Sequence, residues 1–94
     1  MRSILEPKQV ESCYICGQER RYLEEHHVFG GPNRKLSEKH GLKVHLCLEC
    51  HRDSKIGVHF NKERRMELQA IAQKEFENKY GHEKFMEIFG KSWI

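Results

Sequence analysis

The chain has 94 residues, of which 33% are charged and 37% are hydrophobic, and its formal net charge is +3 at pH 7. This length allows one domain, and a domain so small needs a bound metal or a comparable staple to supplement a thin hydrophobic core. Because no stretch approaches the roughly 20 apolar residues of a membrane-spanning helix and the N-terminus lacks the apolar segment of a signal peptide, we expect a cytoplasmic protein without membrane association.

The composition divides the chain into three parts. Residues 1–11 form a polar lead-in that Pro7 discourages from becoming helical, and we expect this segment to fray. Residues 12–60 contain the four cysteines and are expected to form a metal-stapled core. Residues 61–94 are expected to form a helical extension that packs on this core.

The four cysteines occur as two pairs, Cys13 with Cys16 and Cys47 with Cys50, each with two residues between the thiols. In a reducing cytosol this spacing favours metal binding over disulfides. Two such pairs complete the tetrahedral sulfur shell that zinc prefers, so we predict a structural zinc site. Two unrelated redox pairs are the alternative. The segment between the pairs, residues 17–46, is longer than the gap of a simple zinc ribbon and indicates a functional insertion.

Two short strands are predicted between the cysteine pairs. Residues 21–29 precede a glycine-rich turn and are predicted to form a strand that runs into a loop over residues 30–35. Residues 41–46 alternate apolar and polar side chains, which is typical of a half-buried second strand. This strand leads directly into the second cysteine pair.

The rest of the chain is predicted to be mainly helical. A short helix begins near Leu48 and ends at Gly57, because glycine accepts the left-handed geometry common just beyond a helix. A longer helix is capped by Asn61 and stopped by Gly81. Its apolar face consists of Leu68, Ile71, Ala72, Phe76 and Tyr80. Residues 85–93 are predicted to form a final short helix or turn that packs back on the body.

The order of features is a cysteine pair, a strand ending in His26 and His27, a loop, a second strand, a second cysteine pair, a histidine and a helix. With its motifs CYIC, EEHHVFGG and LCLECH, the segment from residue 13 to about residue 59 resembles the HNH endonucleases of the ββα-metal superfold. It is most similar to the zinc-containing type common in phages and prophages. The resemblance implies a small α+β fold, in which a ββα-metal finger with a four-cysteine zinc site is followed by C-terminal helices.

The resemblance also implies an activity, the metal-dependent hydrolysis of DNA phosphodiester bonds to 5′-phosphate and 3′-hydroxyl ends. Such hydrolysis needs a base for water, metal ligands that leave the ion open to substrate, and positive groups for the phosphates. Because adjacent side chains on a strand point to opposite faces, His26 and His27 should have different roles. The family pattern implies His26 as a metal ligand and His27 as the general base.

The same pattern implies a second metal ligand at His51, directly after Cys50. Related nucleases often have a further histidine four residues later, where this chain has Lys55. His59 would lie about 12 Å from His51 along a straight helix, too far to share an ion. A helix break at Gly57 would bring His59 back, so we predict it as the third ligand. The alternative is a surface histidine.

The middle asparagine of the family normally lies at the start of the second strand, where this chain has Gly41 and Leu42. Asn33 and Asn61 are candidates for orienting the base, but we favour a turn residue for Asn33 and a helix cap for Asn61. Three histidines lack a partner at ligand spacing and are expected to be structural or exposed: His40, His45 and His82.

Basic residues surround the proposed site in the sequence and are expected to contact DNA phosphates. They are Arg34, Lys35, Lys43, Arg52 and Lys55. Lys62, Arg64 and Arg65 fit either an extension of this footprint or a solvated helix face. The structural ion is expected to be zinc, and the catalytic divalent cation Mn²⁺, Ni²⁺, Mg²⁺ or Zn²⁺. A histidine-rich set of ligands disfavours Mg²⁺, which prefers oxygen ligands.

The alternative function is a non-catalytic zinc-finger module that binds DNA or a protein and derives from an HNH nuclease. A four-cysteine zinc site is complete without the histidine pair and without His51, which favours the nuclease. The resemblance suggests a bacterial or phage-infected cell, with DNA as substrate and a phage or recombination protein, such as a terminase or recombinase, as a candidate partner. The sequence leaves the DNA specificity and the oligomeric state open.

Overall fold

The computed structural model of the chain describes residues 2–94, so Met1 of the predicted lead-in lies outside the described residues. The fold is α+β, as predicted, with a two-stranded antiparallel sheet. None of the helices in the described part of the chain has the length and apolar character of a membrane span. In chain order the elements are β1 (Glu24–His27), α1 (Arg34–His40), β2 (Lys43–Leu46), α2 (Leu48–Arg52), α3 (Lys62–Tyr80) and α4 (His82–Phe89).

The register of the sheet separates the two adjacent histidines. His26 lies opposite Val44, and His27 lies opposite Lys43. Residues that face each other across an antiparallel pair share a face of the sheet. Because Val44 is fully buried, His26 faces the core, whereas His27 and Lys43 lie on the other face. Both predicted strands are present, and both are shorter than predicted.

A helix, α1, occupies part of the segment that we predicted as a loop. The loop prediction is wrong for Arg34 and Lys35, which lie in the first turn of α1. Buried Ser37 ties α1 to the segment after β1, because its hydroxyl donates to the Phe29 carbonyl at 2.8 Å and accepts from the Phe29 N–H at 3.0 Å. Gly41 ends α1 in the left-handed region with a φ of 70°, so the second strand begins later than predicted.

The N-terminal segment, which we expected to fray, is hydrogen-bonded to β2. The Ser3 hydroxyl donates to the Lys43 carbonyl at 2.5 Å. The Glu6 carboxylate accepts the backbone N–H of His45 at 2.8 Å and contacts the Nδ1 of the same residue at 2.9 Å. Ile4 packs against the core. These partners are far away in the sequence, so the local polar composition does not reveal them.

The C-terminal helices anchor the segment that leaves β1. The Phe29 ring centroid lies 5.8 Å from that of Phe85 in α4 and 4.5 Å from that of Trp93. Phe85 in turn lies 5.7 Å from Phe76 of α3. Each such aromatic pair contributes about 0.5–1.5 kcal/mol beyond its buried area. The position of the histidine strand therefore depends on packing against α3 and α4.

Helix α3 has the predicted ends. The Asn61 side chain caps its first turn, and the chain leaves it at Gly81 with a φ of 92°. On the predicted apolar face, Ile71 and Tyr80 are exposed and the other three residues are buried. Buried Gln73 lies beside them, and its amide oxygen accepts a backbone N–H at 2.6 Å. The buried amide of Gln73 is therefore hydrogen-bonded, as buried polar groups usually are.

Helix α2 ends at Arg52, and the prediction that Gly57 ends it in a left-handed conformation is wrong. The turn begins at Asp53, whose carboxylate accepts the backbone N–H groups of Lys55 and Ile56. Gly57 is required for a different reason, because a Cβ there would lie 2.5 Å from the Asp53 nitrogen and 2.7 Å from the Arg52 Cα. The chain passes this close to α2 as it turns back.

We predict that Gly57→Ala destabilises the protein, because its methyl group overlaps backbone atoms that cannot move independently. The expected loss in the free energy of unfolding is about 1–3 kcal/mol, as for other overpacked sites, and urea titration measures it. Gly30→Ala is the matched control, since Gly30 has a φ of −93° and a Cβ there meets nothing within 4 Å. Equal urea midpoints for the two variants would contradict this account of Gly57.

Candidate functional site

The four cysteine thiols lie together, with all Sγ atoms within 4.8 Å of one another. The first pair is joined to the sheet, because the N–H of Tyr14, next to Cys13, donates to the His45 carbonyl at 2.9 Å. In the second pair, Cys47 directly follows β2 and Cys50 lies in α2. The cluster therefore connects the first pair to the junction of β2 and α2.

The spacing and chemistry of this cluster fit zinc. The Sγ atoms of Cys16 and Cys47 are 3.9 Å apart, and four thiolates at about 2.3 Å from a tetrahedral ion lie about 3.8 Å apart. Burial raises the pKa of Cys13, but hydrogen bonds with the backbone of Cys16, Cys47 and Ile15 outweigh it and bring the pKa to about 7. A thiolate is therefore accessible near neutral pH. The four cysteines could hold a zinc ion.

We predict that the purified protein contains about one tightly bound zinc per chain and that strong chelation unfolds it, because small metallodomains draw much of their folding free energy from the ion. Elemental analysis and circular dichroism before and after chelation measure this. Refolding on addition of zinc is the control for chelator damage. A folded sample without zinc, or a Cys47→Ser variant with unchanged melting, would contradict the prediction.

Three histidines converge on one point. His26 comes from β1, His51 from α2 and His59 from the segment after α2, and one ring nitrogen of each lies within 4.8 Å of the others. The Nε2 atoms of His51 and His59 are 2.9 Å apart. Two imidazole nitrogens that bind one ion at about 2.0–2.1 Å lie about 2.9–3.4 Å apart, for bond angles of about 90–109°. The spacing of these nitrogens is therefore compatible with a shared metal ion.

His59 reaches this cluster because the chain returns alongside α2. The Val58 N–H donates to the Cys50 carbonyl at 2.8 Å, and the His59 N–H donates to the His51 carbonyl at 3.3 Å. Val58 is fully buried. The Arg65 guanidinium donates to the carbonyls of Val58 and His59 at 3.2 and 3.4 Å, which holds the returning segment from the α3 side. His51 and His59 are therefore not separated by the distance of about 12 Å that a straight helix would impose.

His26 is the buried member of the cluster, with 5% of its surface exposed. Its Nε2 is the one buried side-chain nitrogen or oxygen without a hydrogen-bond partner in the described part of the chain. Burial, together with His51, His59 and His27 nearby, lowers the pKa of His26 to about 3. Leaving a buried polar atom unpaired costs about 1–3 kcal/mol. A neutral imidazole with an unpaired nitrogen is what a metal ligand requires.

Glu24 orients His51. Its Oε1 lies 2.8 Å from His51 Nδ1, and because a carboxylate only accepts hydrogen bonds, Nδ1 is assigned the proton and Nε2 keeps its lone pair for the cluster. This bond to His51 is the largest cause that lowers the pKa of Glu24. Arg52 holds the other carboxylate oxygen at 2.9 Å. The sequence analysis missed Glu24, although its position two residues before His26 on a strand places both on one face.

His27 lies among charged side chains on the opposite face of the sheet. Its Nε2 lies 2.9 Å from a Glu38 carboxylate oxygen and 3.9 Å from one of Glu25. The Lys43 ammonium bridges the same carboxylates, at 2.8 Å from Glu38 and 3.4 Å from Glu25. The Lys43 ammonium therefore already balances charge on these carboxylates, which disfavours a metal ion among them. The two adjacent histidines have different surroundings, as strand geometry predicts.

A cleft of about 280 Å³ is lined both by the three clustered histidines and by His27. Its lining residues are His26, His27, His51, His59, Glu25, Gly30, Gly31 and Arg34. A larger cleft of about 470 Å³ lies between the first cysteine pair and α3. Neither histidine nor cysteine lines the larger cleft. The clustered histidines and His27 therefore belong to the smaller cleft, whereas the ionisable groups of the larger cleft are Tyr14, Glu63, Arg64 and Glu67.

The basic residues expected to contact DNA fall into different environments. Arg34 lines the smaller cleft, and Lys35 and Lys55 are exposed. The Arg52 side chain is 59% exposed although it contacts Glu24. Lys43 differs from the prediction, because its side chain is only 12% exposed and its ammonium is held between two carboxylates.

The three histidines that we expected to be structural or exposed lie outside the metal-ligand cluster. His45 contacts Glu6, and His82 contacts Glu77 at 2.6 Å. His40 packs edge-on against a core phenylalanine ring. None of these contacts resembles the convergence of the other histidines.

Glu38, which contacts His27, is the second residue of the candidate site that the sequence analysis missed. It lies on α1, a helix that the sequence pattern did not predict, so no spacing argument connected it to His27.

Comparisons of the chain with protein-family models, curated proteins and solved structures found no match. The side-chain geometry is therefore the basis for a functional assignment.

Proposed function

We propose that the chain is a metal-dependent HNH endonuclease that hydrolyses DNA phosphodiester bonds, with a ββα-metal fold formed by β1, β2 and α2. The observation that carries this proposal is the cluster of His26, His51 and His59, which includes a buried nitrogen without a hydrogen-bond partner. A module that uses only a four-cysteine zinc site has no need for these histidines. The order of a hairpin with two histidines, then a helix with a third, also fits the family.

His27 is the proposed general base, and it lines the same cleft as the three clustered histidines. It takes a proton from water while the water oxygen attacks phosphorus in line, and the bond from phosphorus to the 3′ oxygen breaks. Glu25 and Glu38 beside the ring stabilise the imidazolium that forms. The leaving oxygen takes a proton from solvent, so the products carry 5′-phosphate and 3′-hydroxyl ends.

His26, His51 and His59 would hold the catalytic divalent ion. When bound, this ion neutralises negative charge on the phosphate and on the leaving oxygen. Nitrogen ligands favour Mn²⁺, Ni²⁺ or Zn²⁺ over Mg²⁺. Zinc at the four cysteines is a separate, structural ion.

DNA contacts are proposed for the basic residues near the cleft. Arg34 is suited to a phosphate near the reacting bond because it lines the cleft, and exposed Lys35 and Lys55 extend the positive surface. Arg52 can contact phosphate while it remains near Glu24. Lys43 is left out of this set, because its charge is balanced by carboxylates beside His27.

Cleavage of supercoiled plasmid with Mn²⁺, Ni²⁺, Mg²⁺ or Zn²⁺, each tested alone, checks the proposed function. We predict that His27→Ala lowers the cleavage rate by about 10²- to 10⁴-fold, the usual contribution of a general base, without loss of zinc or folding. His82→Ala is the control, because this histidine is exposed and lies in α4.

His59→Ala should also lower the cleavage rate, but a higher metal concentration should restore part of the activity, as expected for weakened metal binding.

Other results would contradict the proposal. DNA binding without cleavage, with every metal and in a fully folded sample, would favour the non-catalytic zinc-finger module. If His27→Ala cleaves at the parental rate while His26→Ala is inactive, the roles assigned to the two adjacent histidines are exchanged.

A further inference from the structure

We propose that Glu38 is the positioning residue for His27 and holds the imidazole in the tautomer whose Nδ1 accepts the proton from water. This inference rests on the proposed function, in which His27 is the base, and it identifies what orients that base. Neither asparagine considered from the sequence does so. Asn61 caps α3, and Asn33 lies in the short 3₁₀ turn before α1.

Distances decide between the two carboxylates beside His27. The 2.9 Å separation from Glu38 is a hydrogen bond, whereas the 3.9 Å separation from Glu25 is too long for one. Because a carboxylate only accepts, Nε2 of His27 must donate. In the neutral ring Nδ1 then has the lone pair. Nδ1 of His27 has no hydrogen-bond partner among residues 2–94. It is not fully buried, because the one buried side-chain nitrogen or oxygen without a partner in these residues is Nε2 of His26.

Glu38 is itself fixed in place from two directions. Lys43, directly opposite His27 in the sheet, donates to the second carboxylate oxygen of Glu38 at 2.8 Å. The helix that carries Glu38 is tied to the end of β1 by the hydrogen bonds between Ser37 and Phe29. The hydrogen bonds with Lys43, first, and with His27 hold the pKa of Glu38 well below its usual range. The carboxylate is therefore charged at neutral pH and its position is defined.

This arrangement has a direct chemical consequence. When Nδ1 accepts a proton, the ring becomes positively charged while Nε2–H already donates to a carboxylate. The carboxylate orients the ring and stabilises the imidazolium without taking the proton itself, as in other carboxylate-histidine pairs of hydrolases. Lys43 contacts both carboxylates beside the ring and balances part of their negative charge.

Kinetics of plasmid cleavage test the inference through the Glu38→Ala and Glu38→Gln variants. Glu38→Ala should lower kcat by about 10- to 100-fold, as for other side chains that orient a functional histidine, with KM for DNA and metal affinity changed less than about twofold. Glu38→Gln should retain more activity, because an amide oxygen can still accept from Nε2. The control is Glu77→Gln, which alters a similar carboxylate-histidine contact at His82 and should leave kcat unchanged. An unchanged kcat in Glu38→Ala, or an equal loss in both Glu38 variants, would overturn the inference.

A second measurement does not depend on cleavage. At a pH of about 8.5, two units above the ordinary imidazole pKa, ¹⁵N NMR of the parental chain should show His27 with Nε2 protonated and Nδ1 unprotonated. Glu38→Ala should give a mixture of tautomers, while Glu38→Gln should keep the parental one. A parental His27 protonated at Nδ1, or an unchanged tautomer in Glu38→Ala, would refute the role of Glu38. If the parental chain cleaves no DNA, the proposed function fails separately, and the NMR result still decides whether Glu38 positions His27.

Discussion

The closeness of the two cysteine pairs fixes the junction between β2 and α2, and the candidate site is built outward from this junction. Cys47 directly follows the strand and Cys50 lies within the helix, so the position of His51 follows from the positions of the thiols. The strand in turn sets the register of β1, and with it the placement of His26. In a chain with 37% hydrophobic residues, a metal ion held by such a cluster would supply order that the core alone does not.

The alternation of side chains along β1 allows one short strand to supply two different kinds of group. Glu24 and His26 face α2, where one orients the neighbouring imidazole and the other contributes a buried nitrogen. Glu25 and His27 face the charged group around Lys43. The candidate metal ligand His26 and the proposed base His27 are therefore adjacent in the chain but lie in electrostatically different surroundings. Burial lowers the pKa of His26 and keeps that ring neutral, whereas carboxylates contact the His27 ring.

Sequence patterns predicted the long helix α3 and the meeting of the two cysteine pairs, because these depend on periodicity and on cysteine spacing, whereas the α+β class was implied by the family resemblance. They did not predict α1, which has Leu36 as its one apolar residue and whose buried Ser37 is hydrogen-bonded to Phe29. They assigned Gly57 a left-handed conformation when close backbone approach is the actual constraint. Glu38 could not be connected to His27 from the sequence, because it lies on the unpredicted helix α1 and only tertiary packing brings the two residues together.

We propose that His26, His51 and His59 share one metal ion and that a separate zinc ion is bound by the four cysteines. X-ray anomalous scattering from crystals grown with excess zinc can locate both ions. We expect two peaks per chain, one at about 2.3 Å from the four Sγ atoms and one at about 2.0–2.1 Å from a nitrogen of each of the three histidines. A single peak at the cysteines, with His59 turned to solvent and Nε2 of His26 hydrogen-bonded to water, would contradict this proposal.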